Sequence, residues 1–473
     1  MAFCIEEGKP TKDGEPRWWC DWHAMPSRIW GYATFISKGD ILYWFNGLYY
    51  EEIIEQRFRD CVSDCLSSYV MQRPEDKYSI NKADQVLQQI LDHTQLYNAD
   101  LDLSGALGFK NGYLTETAWL PATDPGNPSL FKMFYATRVI PYNYEPNAAC
   151  AGFKYLMSKI YPDEELLIYL AYCMLPIKNN YRHHEIWWGE GNNGKTQLAE
   201  HFGALNGDAV AYIALNSILT DKHAMVGLRG KYLNISSEIK GVMLNVLSLD
   251  RVKGLTTDAW LTGRDVYESQ RVAKAPNTNR FLATANDLPY SEYMSDDKAF
   301  FERWKLRHFE YVWKDEDWDQ WKDEDGATKH TFDKIFKQEA EGILAYILSF
   351  RNRIGELSIK WKETQEEWVC AGNSAIAFLH NLGIDDEHDT PKRKLFEEYQ
   401  GWCKRNERKK LTYQTFFKTL KQRGYNEIRK YETDEYGGKV SEQYIEALGY
   451  SLDKENIMIC GKQKVLIAGV INK

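Results

Sequence analysis

The clearest chemistry in this 473-residue chain sits in eight residues: Gly189, Glu190, Gly191, Asn192, Asn193, Gly194, Lys195 and Thr196. They follow directly on the apolar run Ile186, Trp187, Trp188. The spacing G-x-x-x-x-G-K-[ST] lets glycines bring backbone N–H groups against triphosphate oxygens, while a lysine reaches the β/γ-phosphates and a hydroxyl ligates magnesium. Lys195 and Thr196 are those two side chains. A short buried strand is predicted before the loop and a helix, TQLAEHFGAL, after it, so bound phosphates would lie at a helix N-terminus. ATP and Mg2+ are therefore the expected ligands.

Two later strand ends supply groups that such a site needs. KYLNISSEI reads as a short apolar strand carrying Leu233 and Ile235, and it delivers Glu238 where a carboxylate polarises water and shares in holding the metal with Thr196. Ser237 stands where a magnesium-linked acid is often found. NRFLATANDLP reads as another apolar strand, with Asn286 at its end, where a side-chain amide hydrogen-bonds phosphate or the lytic water. From the residues alone, Glu238 also fits an ordinary exposed strand end and Asn-Asp-Leu-Pro also fits a simple turn.

GEGNNGKT, KYLNISSEI, the segment Lys253 to Arg264 and FLATANDLP occur in the order of superfamily 3 helicases, and the chain resembles the phage, plasmid and poxvirus primase-helicase branch. The resemblance extends softly from FKNGYLTETAW to LFEEYQGWCKRN, roughly residues 105–450. It implies an α/β, AAA+-like phosphate-loop core with a mainly helical N-terminal region and a C-terminal winged helix. Lys195, Glu238, Asn286 and Arg303 become the catalytic set, with Asn286 as sensor and Arg303, in DDKAFFERW, as an arginine finger reaching the neighbouring subunit. Glu302 replaces the first arginine of the usual pair, and Arg307 is a second candidate finger. Lys253 falls on the basic position before a DNA-facing hairpin, on which Arg271 and Lys274 would touch phosphates. The implied activity is ATP-driven, 3′-to-5′ unwinding of single-stranded and forked DNA by a homo-oligomeric ring, expected to be hexameric. An origin-binding initiator and a DNA-packaging ATPase are the competing readings. The first hundred residues show no paired-carboxylate metal site of a primase, so a primase or polymerase partner would be a separate chain.

Charge agrees with nucleic acid at one end only. Net charge is −9, but residues 391–430 hold thirteen Lys or Arg against four acids. Two helices and a β-ribbon predicted there have the outline of a winged helix, with Lys418, Lys421 and Arg423 on the helix that would enter a groove. The predicted organisation is 1–150, a small sheet plus helices for oligomerisation or DNA binding; 151–355, the ATPase core; 356–385, a linker; and 386–473, the winged helix. Asn46-Gly47 and Asn111-Gly112 between apolar runs mark hairpins.

Hydrophobic content of 44% and charged content of 27%, with no apolar stretch of membrane length and a charged N-terminus without a signal-peptide core, predict an intracellular, cytoplasmic protein without a membrane partner. A viral source would place it in the host cytoplasm. Nine scattered cysteines fit reduced thiols better than a disulfide framework. Cys20, His23, Cys61 and Cys65 offer four zinc ligands if their segments meet, against the simpler reading of core cysteines.

Overall fold

The computed structural model describes residues 5–38, 41–69, 71, 73, 75, 77–94, 100–161, 163–221, 223–237, 239, 253–256, 260–264, 272–286, 288, 298–321, 331–382, 390–406, 408–423, 425, 427–428, 450–451, 458–460, 464–466 and 471–472. Within them the architecture is mixed α/β, with a parallel sheet at its centre and many helices around it.

The N-terminal region opens with a β-pair, β1 (Ile5–Glu7) and β2 (Trp18–Cys20), and a helix α1 (Met25–Tyr32). A meander of β3 (Phe35–Lys38), β4 (Ile41–Phe45) and β5 (Tyr50–Ile53) follows. Its β4–β5 turn forms at Asn46-Gly47 because the Asn46 side-chain Oδ1 accepts from the N–H groups of Leu48 and Tyr49, both at 2.9 Å, while Gly47 takes φ +103°. Helices α2 (Glu55–Ser67) and α3 (Ile80–His93) bury Phe58, Val62 and Leu66 against Ala83, Val86, Leu87 and Ile90, two stripes at helical spacing. Cys20 is buried in this cluster, Cys61 is exposed and Cys65 half-buried. Among the described residues, no three His, Cys, Asp or Glu side chains are grouped to hold a metal.

A second meander, β6 (Leu107–Phe109), β7 (Gly112–Leu114) and β8 (Trp119–Pro121), turns at Asn111-Gly112. Helices α4 (Ala151–Ile160) and α5 (Glu164–Met174) then lead into the core. Every residue of α5 from Leu166 to Met174 is buried, the signature of a helix wrapped on all sides. Glu339, between helices Thr331–Gln338 and Ala340–Leu348, accepts from the Gly152 and Phe153 N–H groups at 2.9 Å each, so its carboxylate caps α4.

The central sheet has five parallel strands: β9 (His184–Trp188), β10 (Val210–Ala211), β11 (Leu233–Ser236), β14 (Arg280–Ala285) and β15 (Trp304–His308), in the order β10-β11-β14-β9-β15. Between β11 and β14 an antiparallel pair, β12 (Trp260–Arg264) and β13 (Val272–Pro276), stands outside the sheet. From β9 the chain crosses to one edge of the sheet, and from β14 to the other. The carboxyl ends of β9 and β14 thus flank a topological switch point, where open α/β sheets leave a crevice.

The stretch 356–385, read from sequence as a linker, holds two helices, Trp361–Gly372 and Ser374–Leu382. Trp368 of the first packs edge-on against Phe300 and Phe301 of the core. Ala375, Phe378 and Leu379 of the second recur at helical spacing and pack with Leu395, Tyr399, Phe416 and Leu420. The C-terminal cluster thus begins ahead of residue 386. It continues with a strand at Thr390–Pro391, helices Lys392–Arg405 and Tyr413–Gln422, and short strands at Glu427–Ile428, Met458–Cys460 and Lys464–Leu466 in one small sheet.

Candidate nucleotide-binding site

The loop Gly189–Gly194 joins β9 to helix α6 (Lys195–Asn206) and lies in that crevice. Two of its glycines are required by geometry. Gly189 has φ +148°, and a Cβ there would sit 2.5 Å from the Phe309 carbonyl oxygen; Gly194 has φ +80°, and a Cβ would sit 2.7 Å from Trp313 Nε1. The two asparagines are anchors. Asn192 Nδ2 donates to the Trp313 carbonyl at 3.1 Å and Trp313 N donates back to Asn192 O at 3.1 Å, while Asn193 Nδ2 donates to Phe309 O at 3.0 Å. Their side chains are thus engaged with the chain that follows β15.

Lys195 is 4% exposed. Its Nζ donates toward four neutral oxygens: Gly189 O at 3.1 Å, Glu190 O at 3.2 Å, Asn193 Oδ1 at 3.3 Å and Asn286 Oδ1 at 2.7 Å. The loop lysine and the amide at the end of β14 therefore meet directly. Thr196, one residue on, points its hydroxyl at the Thr284 hydroxyl on β14, 3.4 Å away. Sequence reading missed Thr284. Its signal was period two: Thr284 and Asn286 share one face of their strand, the face toward α6.

At the end of β11, Ser236 Oγ accepts from Leu215 N at 2.8 Å, and Ser237 Oγ donates to Glu200 Oε1 at 3.4 Å. Ile239 N donates to Thr284 O at 2.8 Å, so the backbone still follows β14 there. Glu238 itself lies outside the described residues.

Arg303 precedes β15, whose first residue pairs with His184, the first of β9. It is therefore about 16 Å of strand away from the loop at the other end of β9, taking about 3.3 Å per residue. The Arg303 guanidinium is half-buried and Nη1 bonds back onto the Ala299 carbonyl. Arg307 is a correction. It is fully buried and grips Glu185 through Nε–Oε2 at 2.8 Å and Nη2–Oε1 at 2.6 Å, with its plane over the Tyr161 ring. A side chain sealed between strands cannot reach another subunit, so Arg307 is a structural ion pair. Burial alone would raise the Glu185 carboxyl, but Arg307 overrides it and holds it well below the usual carboxylate range.

The candidate nucleic-acid residues lie elsewhere. Lys253 begins a single helical turn and is half-buried. Lys274 stands on β13 opposite Thr262, and Arg271 lies outside the described residues. In helix Tyr413–Gln422, Phe416, Phe417 and Leu420 face the core while Gln414, Lys418 and Lys421 are exposed, as is Arg423 at its end. No helix among the described residues is long and apolar enough to cross a membrane.

Residues 187–303, from the last strand residues before the loop to Arg303, match a family described as "Family of unknown function (DUF5906)". No curated protein matches the chain. Among solved structures it is similar to the A-form apo structure of the NrS-1 C-terminal region, at 12% identity and a TM-score of 0.45, covering 92% of this chain and 98% of that one. It is also similar to the apo structure of the NrS-1 C-terminal region (305–718), at 13% identity and a TM-score of 0.45, covering 85% and 95%.

Proposed function

We propose that this chain is an ATP-driven DNA helicase with an AAA+-like core, working as a homo-oligomeric, hexameric ring that moves 3′-to-5′. The observation that carries the reading is the contact between Lys195 and Asn286, which joins a phosphate-binding loop to a strand-end amide across the switch point. The residues fit a nucleotide: the glycine cradle admits phosphate oxygens close to backbone N–H groups, and the buried Lys195 ammonium lies against the loop carbonyls of Gly189 and Glu190. When ATP enters, Lys195 exchanges carbonyl and amide oxygens for β/γ-phosphate oxygens, and the Asn286 amide turns to the γ-phosphate. Thr196, with Glu238, would hold magnesium, which neutralises phosphate charge when bound.

Arg303 supports the oligomer. In its own subunit it sits at the wrong end of β9, so its chemical use is on a neighbour's nucleotide. The β12–β13 pair would contact the translocating strand. In the C-terminal cluster, a helix, a strand and two helices followed by three short strands in one sheet support a winged helix docked on DNA through Lys418, Lys421 and Arg423. That exposed basic helix also favours a second reading, an origin-binding initiator that melts duplex DNA for another helicase.

Strand displacement on forks bearing a 3′ or a 5′ loading tail tests the proposal, with Lys195→Ala as control. Unwinding from the 3′ tail alone, lost in the variant, is expected. ATP hydrolysis stimulated by DNA without displacement from either fork would reject it in favour of the initiator.

A further inference from the structure

On the side of the central sheet opposite the phosphate loop, where β10, β11 and β14 begin, a cavity of about 650 Å³ opens against the N-terminal region. Lys231 and Thr278 line it from the residues just before β11 and β14; Lys38, Thr137 and Arg138 close it from the N-terminal side, and Arg229 stands at its edge. Its cations are placed in an unusual way. Arg138 Nη1 and Lys231 Nζ both donate to one neutral oxygen, the Asp208 carbonyl, at 3.1 and 2.6 Å. Two positive groups thus converge on an acceptor that cannot neutralise either. Arg138 Nε is buried without a hydrogen-bond partner among the described residues, and Arg229 is exposed beside it.

The cavity also holds acids, but two of them are engaged. Asp102 accepts from Thr137 N at 2.7 Å, Thr137 Oγ1 at 2.6 Å and Arg138 Nη2 at 3.2 Å, and Asp100 faces Lys38 at 3.7 Å. Glu52 and the Asp208 carboxylate remain on the lining. Burial first, and then the Arg138 guanidinium, push the Lys231 ammonium below the ordinary lysine value against Asp208, whereas at Arg138 the Asp102 carboxylate overrides burial and raises it.

We propose that this cavity is an anion site for a phosphate group, held by Arg138, Arg229 and Lys231 with the Thr137 and Thr278 hydroxyls. A phosphate group there would give Lys231 and Arg229 a charged acceptor, with Arg138 Nη1 beside Lys231 at the same carbonyl. The preferred source is the backbone of a nucleic-acid strand, and that choice rests on the helicase reading. The segment Ala224–Leu228, which carries Val226 and Gly227 into the cavity wall, packs against β12, and Thr278 follows β13 by two residues. The site therefore lies at the root of the β12–β13 pair, on the path of any strand that pair would touch.

The test uses the full chain and the double variant Arg229→Gln/Lys231→Gln, which leaves the phosphate loop untouched. Binding of a short fluorescent single strand is measured across a salt series, and pyrophosphate binding is measured separately in a Lys195→Ala background. An affinity about ten-fold weaker, with a salt dependence shallower by about 0.7 per lost contact, assigns the site to a nucleic-acid phosphate. Unchanged strand binding with lost pyrophosphate binding assigns it to a free phosphate ligand. Both unchanged overturns the proposal. If the unaltered chain binds no strand, the helicase reading fails while the pyrophosphate arm still decides the cavity.

Discussion

Lys195 Nζ lies 2.7 Å from Asn286 Oδ1, a bond between residues 91 positions apart that closes the Gly189–Gly194 loop onto the end of the neighbouring strand. The bond presents an acceptor to the lysine, and in the proposed cycle the same amide must release it and donate from Nδ2 to the γ-phosphate. Asn286→Ala removes the second interaction while leaving the glycine cradle intact. Its expected effect is a fall in kcat of about 10²–10³, the range for losing one preorganised donor, with nucleotide Kd within a few-fold. Steady-state hydrolysis beside nucleotide titration checks it. Equal losses in both would instead make Asn286 a structural partner of Lys195.

The pair Glu185–Arg307 makes a prediction about stability. Both side chains are fully buried, and Glu185 also accepts from Trp187 Nε1 at 2.7 Å. Removing one partner strands the other as an uncompensated buried charge, so Arg307→Met should destabilise by about 3–5 kcal/mol. Replacing both, Glu185→Leu with Arg307→Met, should recover much of that loss, because no charge then remains to desolvate. Denaturant unfolding of the two single variants and the double variant measures the coupling. Additive losses would show that the ion pair is not a unit.

These residues also mark what the sequence could and could not tell. The turn at Asn46-Gly47 was legible because Asn46 makes its hydrogen bonds within five residues of itself. The strand, loop and helix around Gly189–Gly194 were legible because an apolar run, a glycine-rich stretch and a helical period are local patterns. Arg307 became a second candidate finger through the resemblance, and its burial was not legible because its partner Glu185 is 122 positions away on β9. Only the parallel pairing of β9 with β15 explains it, and strand order is not a local property. Arg138 was missed for the same reason: its contacts to Asp102 and the Asp208 carbonyl join segments that no periodicity connects.

His184 gives the fold a pH dependence. It is fully buried, its Nδ1 accepts from Phe281 N at 3.1 Å, and burial, then His183, Arg280 and Arg303, push its pKa well below 6.5. Above pH 6.5 neither the folded nor the unfolded chain holds this proton. Below it the unfolded chain gains a proton that folded His184 refuses, so stability falls by up to about 1.4 kcal/mol per pH unit from this group. Glu185, depressed in the folded state, adds to the loss only below its ordinary value of 4.5. Thermal unfolding between pH 7 and pH 5 should show the decline, and His184→Gln, which keeps an acceptor for Phe281 N, should flatten it. An unchanged slope would place the proton uptake elsewhere.

Arg303 supplies the sharpest test of a ring. Because it lies at the opposite end of β9 from the loop, a hydrolytic site built from Lys195 and Arg303 must combine two subunits. Arg303→Ala should bind ATP normally and hydrolyse it poorly, and Lys195→Ala should neither bind nor hydrolyse. Mixing the two inactive variants in equal amounts creates interfaces at which the Arg303→Ala subunit contributes an intact loop and the Lys195→Ala subunit an intact arginine. Random assembly makes about one interface in four of that kind, so ATP turnover should reappear at about a quarter of the normal level. No recovery, in an assembly shown by its mass to contain both variants, would mean that Arg303 serves its own fold through the Ala299 carbonyl and not a neighbour's nucleotide.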